Sequence, residues 1–171
     1  MKRKNVFFEK EEELKAETEK RVCKMKQEFA EEPRIKVFQN SQEYDQIVAQ
    51  VGIPYMSLCE HHEVAFSGEV SVGYIPDQTI IGLSKIGRIV EYFLNPTLPT
   101  LQEKATKQII DYLENVLEPK GLIVVVTGVH GCIAYRGIKK PSTTITSAVK
   151  GVMREEKSAR EEFLLLTNQC K

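Results

Sequence analysis

The stretch Ser57-Leu58-Cys59-Glu60-His61-His62 gathers three potential metal ligands into a chain that has only three histidines. The third histidine stands far downstream beside another cysteine, in His130-Gly131-Cys132. Zinc takes thiolate and imidazole ligands; a catalytic site uses three from the protein and leaves the fourth position to water, whereas a structural site closes with four. Cys59 and His62, separated by two residues in a turn, can face one ion, and Cys132 can complete the set from a distant segment. If 130–136 is extended, His130, Cys132 and Arg136 share one face, because strand side chains alternate with period two. That arrangement sets an unligated histidine and an arginine beside the metal. Spacing alone leaves open a closed Cys2His2 site, with both of 61 and 62, or His130, completing the four, although such sites more often show CxxC pairs.

These residues must be positioned by a chain of 171 residues, enough for one domain with a substantial core. Lysine plus arginine equals aspartate plus glutamate, 24 of each, so no overall field draws nucleic acid or an anionic membrane and any anion site must be built locally. The basic N-terminus Met1-Lys2-Arg3-Lys4-Asn5 leads through Val6-Phe7-Phe8 into acidic residues rather than a signal-peptide apolar region, and no apolar run is long enough to span a membrane. A cytoplasmic protein with reduced thiols is expected. Cys23 and Cys170, away from any histidine, read as ordinary free thiols.

From about Glu9 to Glu32 a charged segment carries Leu14, Val22, Met25 and Phe29 as a thin apolar stripe, with Glu11/Lys15 and Glu17/Arg21 at i,i+4. It predicts an amphipathic helix, closed by Pro33, that needs a neighbouring surface or subunit. An irregular connection then leads to a strand ending at Cys59. Val64, Phe66, Val70, Val72 and Tyr74 alternate as a half-buried strand does, with Gly68 as a bulge. A helix is expected from Gly82-Leu83-Ser84 with Ser84 as N-cap and Ile86, Ile89, Val90 and Phe93 inward. A longer helix follows from Thr100 to about Leu117, where Thr100-Leu101-Gln102-Glu103 reads as a capping box. Leu122 to Val129 is a buried strand, 133–151 returns as its hairpin partner, and Glu155 to Leu166 is helix-like. Grouped strands and helices argue α+β: an antiparallel four-stranded sheet with two helices on one face, preceded by an N-terminal helix, its open edges inviting oligomerisation.

In order along the chain, Cys59-Glu60-His61-His62, Phe66-Ser67-Gly68, Gly73-Tyr74-Ile75-Pro76, Ile81-Gly82-Leu83-Ser84-Lys85-Ile86-Gly87-Arg88-Ile89-Val90, Gln102-Glu103, His130-Gly131-Cys132 and Arg136-Gly137 closely resemble the motifs of the GTP cyclohydrolase I family. The likeness covers about Ile47 to Gly151, with a weaker echo in 18–25, where Glu19 stands in place of the family's proline. The resemblance implies the tunnelling fold, a ring of ten subunits with active sites at subunit interfaces, and zinc-dependent conversion of GTP to formate and 7,8-dihydroneopterin triphosphate. Residues 1–40 would be an N-terminal helical extension and 41–171 the catalytic domain.

By the same resemblance Cys59, His62 and Cys132 hold zinc, and His61 and His130 move protons at the imidazole ring and the ribose oxygen. An imidazole suits that task because its unperturbed pKa lies near 6.5. Ser84, Lys85 and Arg88 would handle ribose and triphosphate, with Arg136, Arg21 and Lys24 as further phosphate contacts. A capping serine and solvated charges explain the first three equally from sequence, and a charged helix face explains the last two. Gln102 and Glu103 would read the guanine edge, where a carboxylate accepts from the N–H groups that distinguish guanine. The chain departs from the family at Leu94-Asn95-Pro96-Thr97-Leu98-Pro99-Thr100, which lacks the usual arginine and glutamine, and at Ala65, where a proline is usual. Two other readings compete: a nitrile reductase of the same fold, opposed by the metal cluster, and a relative that binds zinc and a purine nucleotide without turnover.

Overall fold

The computed structural model describes residues 11–168; Cys170, the basic N-terminus, Val6-Phe7-Phe8 and the expected helix start at Glu9 lie outside them. The chain falls into two compact units that divide between Glu31 and Glu32. In the first, helix α1 (Glu11–Ala30) carries the expected thin stripe, and Leu14, Val22 and Met25 are left exposed.

The second unit runs β1 (Val37–Gln39), β2 (Val48–Leu58), β3 (Ala65–Ile75), β4 (Thr79–Ile81), α2 (Leu83–Phe93), α3 (Gln102–Leu117), β5 (Gly121–His130), α4 (Gly131–Ala134), β6 (Thr143–Gly151), α5 (Val152–Glu155) and α6 (Lys157–Asn168). The main sheet has the order β2-β3-β5-β6, antiparallel throughout. The connection before β2 is not wholly irregular: β1 pairs with β4 as a separate two-stranded sheet.

Strand alternation builds the core. Val70, Val72 and Tyr74 of β3 and Leu122, Val124 and Val126 of β5 face one side, where they pack with Ile86, Ile89 and Val90 of α2 and Ala105, Ile109 and Leu113 of α3. Two helices therefore cover one face, as the pattern predicts. The opposite face is not bare, because Met153 of α5 and Phe163 of α6 pack on Ile123.

Four local expectations are corrected. The bulge lies between Gln50 and Ile53 of β2, not at Gly68, which stays in register opposite Tyr55 and Gly128. Gly68 marks a close approach instead: a Cβ there would fall 1.9 Å from Thr127 O. Gly82, not Ser84, caps α2, since the ladder continues through Gly82 N–H to Lys36 O and the helix starts at the next residue. No capping box forms at 100–103, because the Thr100 backbone is held by Leu58 and Glu60 and Leu101 becomes the N-cap. Finally, 131–134 is a helical turn rather than extended chain. The pairings to β3 and β6 end at Phe66↔His130 and Val129↔Thr143, so the groups beyond must bond locally, as Tyr135 N–H does to Gly131 O.

Candidate active site

The end of β2, the start of β3, the end of β5 and the start of α3 meet at one end of the sheet, and this is where most of the candidate residues gather. Cys59 opens a tight turn: its N–H donates to Val64 O at 2.9 Å, and its carbonyl accepts from His62 at 3.2 Å and Glu63 at 2.7 Å. The turn is clamped from outside by Thr100, whose N–H donates to Leu58 O at 2.9 Å and whose carbonyl accepts from Glu60 N–H at 3.1 Å. The Glu60 carboxylate pairs with Lys104 of α3 at 3.3 Å, a second tie that gives this residue a role spacing alone did not supply. Cys59 is buried as a result, while His61 and His62 remain exposed.

Cys59, Cys132 and His130 bring their ligand atoms within 4.8 Å of one another, and His62 Nδ1 lies 3.9 Å from Cys59 Sγ. Burial pushes the Cys132 thiol above its ordinary pKa, the nearby Cys59 thiol adds to this, and the Arg136 charge pulls the other way. A divalent cation held between the two sulfurs would favour the ionised form of the Cys132 thiol. Thiol and imidazole donors at this spacing fit zinc.

Around the donors, the His130 ring stacks on Phe66, 4.4 Å between centroids and 7° from parallel, and its Nε2 lies 2.9 Å from Gln102 Oε1. Burial depresses the His130 pKa, and the charge of Glu103 works in the opposite direction. Glu103 itself is exposed and makes no side-chain hydrogen bond within the described residues, so it is free to meet a ligand. Gln102 is not: it is 1% exposed and its amide is engaged by Val126, Thr144, Thr146 and His130. A guanine edge cannot reach that amide without dismantling it.

Among the described residues, no hydrogen bond or ion pair ties the side chains of Ser84, Lys85 and Arg88 to this place, and α2 runs from the far end of β3 back to Asn95, whose carbonyl accepts from Ser57 Oγ at 3.1 Å. Ile81 N–H donates to the Tyr74 hydroxyl, so α2 begins near the far end of β3. Phe66 and Tyr74 are separated by roughly 25 Å of strand at about 3.3 Å per residue. Ser84 and Arg88 are exposed there and Lys85 half-buried, none with a side-chain hydrogen bond or ion pair among the described residues. Arg136 is exposed at the metal end. Arg21 and Lys24 lie on α1, exposed, paired with Glu17 at 2.6 Å and Glu28 at 3.9 Å.

Several participants escaped the sequence reading. Phe66 was legible as a core residue but not as a platform for His130, and Thr146 carried no signal. Asn95, 1% exposed, organises the 94–100 segment that ends at Thr100: its Oδ1 accepts from Thr97 N–H at 2.9 Å and Leu98 N–H at 3.2 Å. The Asn-Pro pair marked a turn but gave no sign that the turn clamps Cys59.

Fold and site together define a class, an antiparallel α+β sheet with a cysteine–histidine cluster that could hold a metal at one end. The family model described as GTP cyclohydrolase I matches residues 5–168. The GTP cyclohydrolase 1 of Sulfurihydrogenibium sp. (strain YO3AOP1) is 44% identical over 158 residues, 91% of this chain and 83% of that protein. That of Aquifex aeolicus is 42% identical over 153 residues, 88% and 82% of the two chains, and that of Drosophila melanogaster 45% over 128 residues, 74% and 39%. Among solved structures, an archaeosine synthase QueF-Like in the apo form aligns over 69% of this chain and 96% of its own, with 14% identity and a TM-score of 0.41. That likeness is too slight to bear on the reading. The chain belongs to the GTP cyclohydrolase I family, a family of enzymes.

Proposed function

We propose that this protein is a zinc-dependent GTP cyclohydrolase I of the tunnelling fold, which opens the imidazole ring of GTP hydrolytically, releases C8 as formate and closes the rearranged product to 7,8-dihydroneopterin triphosphate. The observation that carries this reading is the convergence of Cys59, Cys132 and His130 within 4.8 Å, with the exposed Glu103 acting on the charge of His130 and making no side-chain hydrogen bond among the described residues. Cys59, Cys132 and His62 would hold the metal, whose Lewis acidity brings the pKa of water to about 7 and so supplies a nucleophile at neutral pH. Glu103 accepts hydrogen bonds from the guanine N–H groups and fixes the base. His61 and His130 transfer protons at the opening ring and at the ribose oxygen, imidazole being a common general acid and base. Ser84, Lys85, Arg88 and Arg136 bind ribose and phosphates, with Arg21 and Lys24 as outer contacts.

Helix α2 begins roughly 25 Å of strand away from the metal end, a separation that favours a site shared between subunits. Ser84, Lys85 and Arg88 of one subunit therefore serve the metal site of another, and the active enzyme is a homo-oligomer, a decamer by family resemblance. The functional parts are an N-terminal helical extension and the tunnelling-fold catalytic domain. The pairing of β1 with β4 supports counting residues 37–39 with the catalytic part rather than with the 1–40 extension. Reduced thiols at the metal site suit a cytoplasmic setting, and no described helix is long and apolar enough to cross a membrane. The test is to incubate zinc-loaded protein with GTP and assay formate and a fluorescent oxidised pterin. Zinc-replete, intact oligomer that yields neither product would leave a nucleotide-binding relative without turnover as the better reading.

A further inference from the structure

We infer that Gln102 is a positioning residue that fixes His130 as its Nε2–H tautomer and holds the ring against Phe66, leaving the lone pair on Nδ1. This rests on the reading of His130 as a proton-handling group, and it replaces the expectation that the Gln102 amide reads guanine. The orientation of the amide follows from its partners. The side-chain nitrogen lies 3.1 Å from Val126 O, 3.2 Å from Thr144 O and 3.2 Å from Thr146 Oγ1. Two of these are backbone carbonyls, which only accept, so the end that faces them must be the NH2. The reverse orientation would bury an amide oxygen against two carbonyl oxygens in a side chain 1% exposed.

Thr146 is consistent with this. The Thr106 hydroxyl lies 2.7 Å from Gln102 O, to which it must donate, and 2.7 Å from Thr146 Oγ1, from which it therefore accepts. The Thr146 proton is thus committed to Thr106, and its oxygen is free to accept from the amide. It follows that Oε1 faces His130 Nε2 at 2.9 Å, and an amide oxygen at that distance requires the proton on Nε2.

The clamp spans four elements. Gln102 opens α3, its partners lie on β5 and β6, and the stacked Phe66 on β3 is braced edge-on by Tyr55, 5.7 Å away. Room for the amide comes from Gly128, where a Cβ would lie 2.8 Å from Gln102 Oε1 and 2.5 Å from the Tyr55 hydroxyl. Partners that orient metal-ligating histidines are typically worth about 10–100-fold in affinity or activity, and an effect of the same size is expected for one that orients a proton-handling histidine.

The experiment is solid-state 15N spectroscopy of zinc-loaded, histidine-labelled protein, with the His130 signals identified by their loss in His130→Asn, alongside steady-state kinetics of Gln102→Met. The expected wild-type spectrum shows His130 protonated on Nε2 and unprotonated on Nδ1. Gln102→Met should mix the tautomers and lower kcat by about 10–100-fold with KM nearly unchanged. A proton on Nδ1 in the wild type overturns the inference, and so does a Gln102→Met protein with the wild-type tautomer. A raised KM with kcat retained overturns it too and restores Gln102 as a guanine contact. The wild-type spectrum needs no variant, so failure of Gln102→Met to fold leaves the test intact. The expected tautomer in a protein that produces no formate supports the assignment while refuting the proposed function.

Discussion

Replacing Asn95 by alanine tests whether the 94–100 linker is a structural clamp on the metal loop. The side chain makes four hydrogen bonds: Oδ1 accepts from Thr97 N–H at 2.9 Å, Thr97 Oγ1 at 2.7 Å and Leu98 N–H at 3.2 Å, and Nδ2 donates to Tyr92 O at 3.0 Å. Each contributes about 1 kcal/mol net. Leu98 is 54% exposed, so its N–H can recover water, and the expected loss is about 2–3 kcal/mol. For a chain of this size that corresponds to a fall in Tm of roughly 5–10 °C. Because the linker ends at Thr100, whose backbone brackets Cys59, zinc affinity should fall as well. Asn95→Asp keeps the three acceptor bonds and should lose less on both counts. The assay is thermal unfolding of zinc-loaded protein at one fixed concentration, with zinc affinity measured by chelator competition. An Asn95→Ala protein with wild-type Tm and wild-type zinc affinity would refute the argument that this segment holds Cys59 in place.

Cys59→Ser and Cys132→Ser should each lose stoichiometric zinc by elemental analysis, whereas His130→Ala should keep it and lose turnover; loss of zinc in the last variant would make residue 130 a ligand. Lys150 bridges β6 to Asp111 at 2.6 Å and to Glu114 of α3. Hydrogen bonds from Lys107 and Lys150 hold the Asp111 carboxyl below its ordinary range; burial pushes Lys150 down, but its two carboxylate partners more than offset that and leave it raised. The carboxylate contribution is complete above the ordinary value near 4 and is lost as pH falls through the lower folded value; the lysine contribution is complete below about 10.5 and is lost as pH rises through the higher one. Lys150→Met should therefore cost about 1 kcal/mol at pH 7, after solvent screening, with the gap to wild type closing in strong acid and in strong base. A gap in urea stability that does not vary with pH would count against this pairing. Gly68→Ala forces a methyl to within 1.9 Å of Thr127 O and should cost about 3 kcal/mol or more, whereas Gly87→Ala meets nothing within 4 Å and should stabilise α2 by up to about 1 kcal/mol. Equal effects of the two alanines on Tm would contradict the packing at Gly68.

Much of this protein was legible because its signals are local. Period-two alternation in 66–74 and the β-branched run 122–129 specify strands by the geometry of the pleat, and the spacing of Ile86, Ile89 and Val90 specifies one helix face. The donor set Cys59, His61, His62, His130 and Cys132 was visible by residue type, since few side chains bind soft metals. Turn chemistry was less secure. Ser84 and the 100–103 capping box looked right as local patterns, yet backbone partners supplied by Lys36, Leu58 and Glu60 moved both helix starts.

What tertiary structure decided is everything that depends on which segments meet. The end of strand pairing at His130 curls 131–134, so the shared-face argument fails although Cys132 still reaches Cys59. Gln102 has the residue type of a base reader, and only the approach of Val126, Thr144 and Thr146 shows that its amide is already occupied. Sequence determined the ligand chemistry, because that is a property of side-chain atoms. Which nitrogen of His130 keeps its proton, and how far Ser84 stands from the metal end, are fixed by carbonyls and strands distant along the chain, and those only the fold brings together.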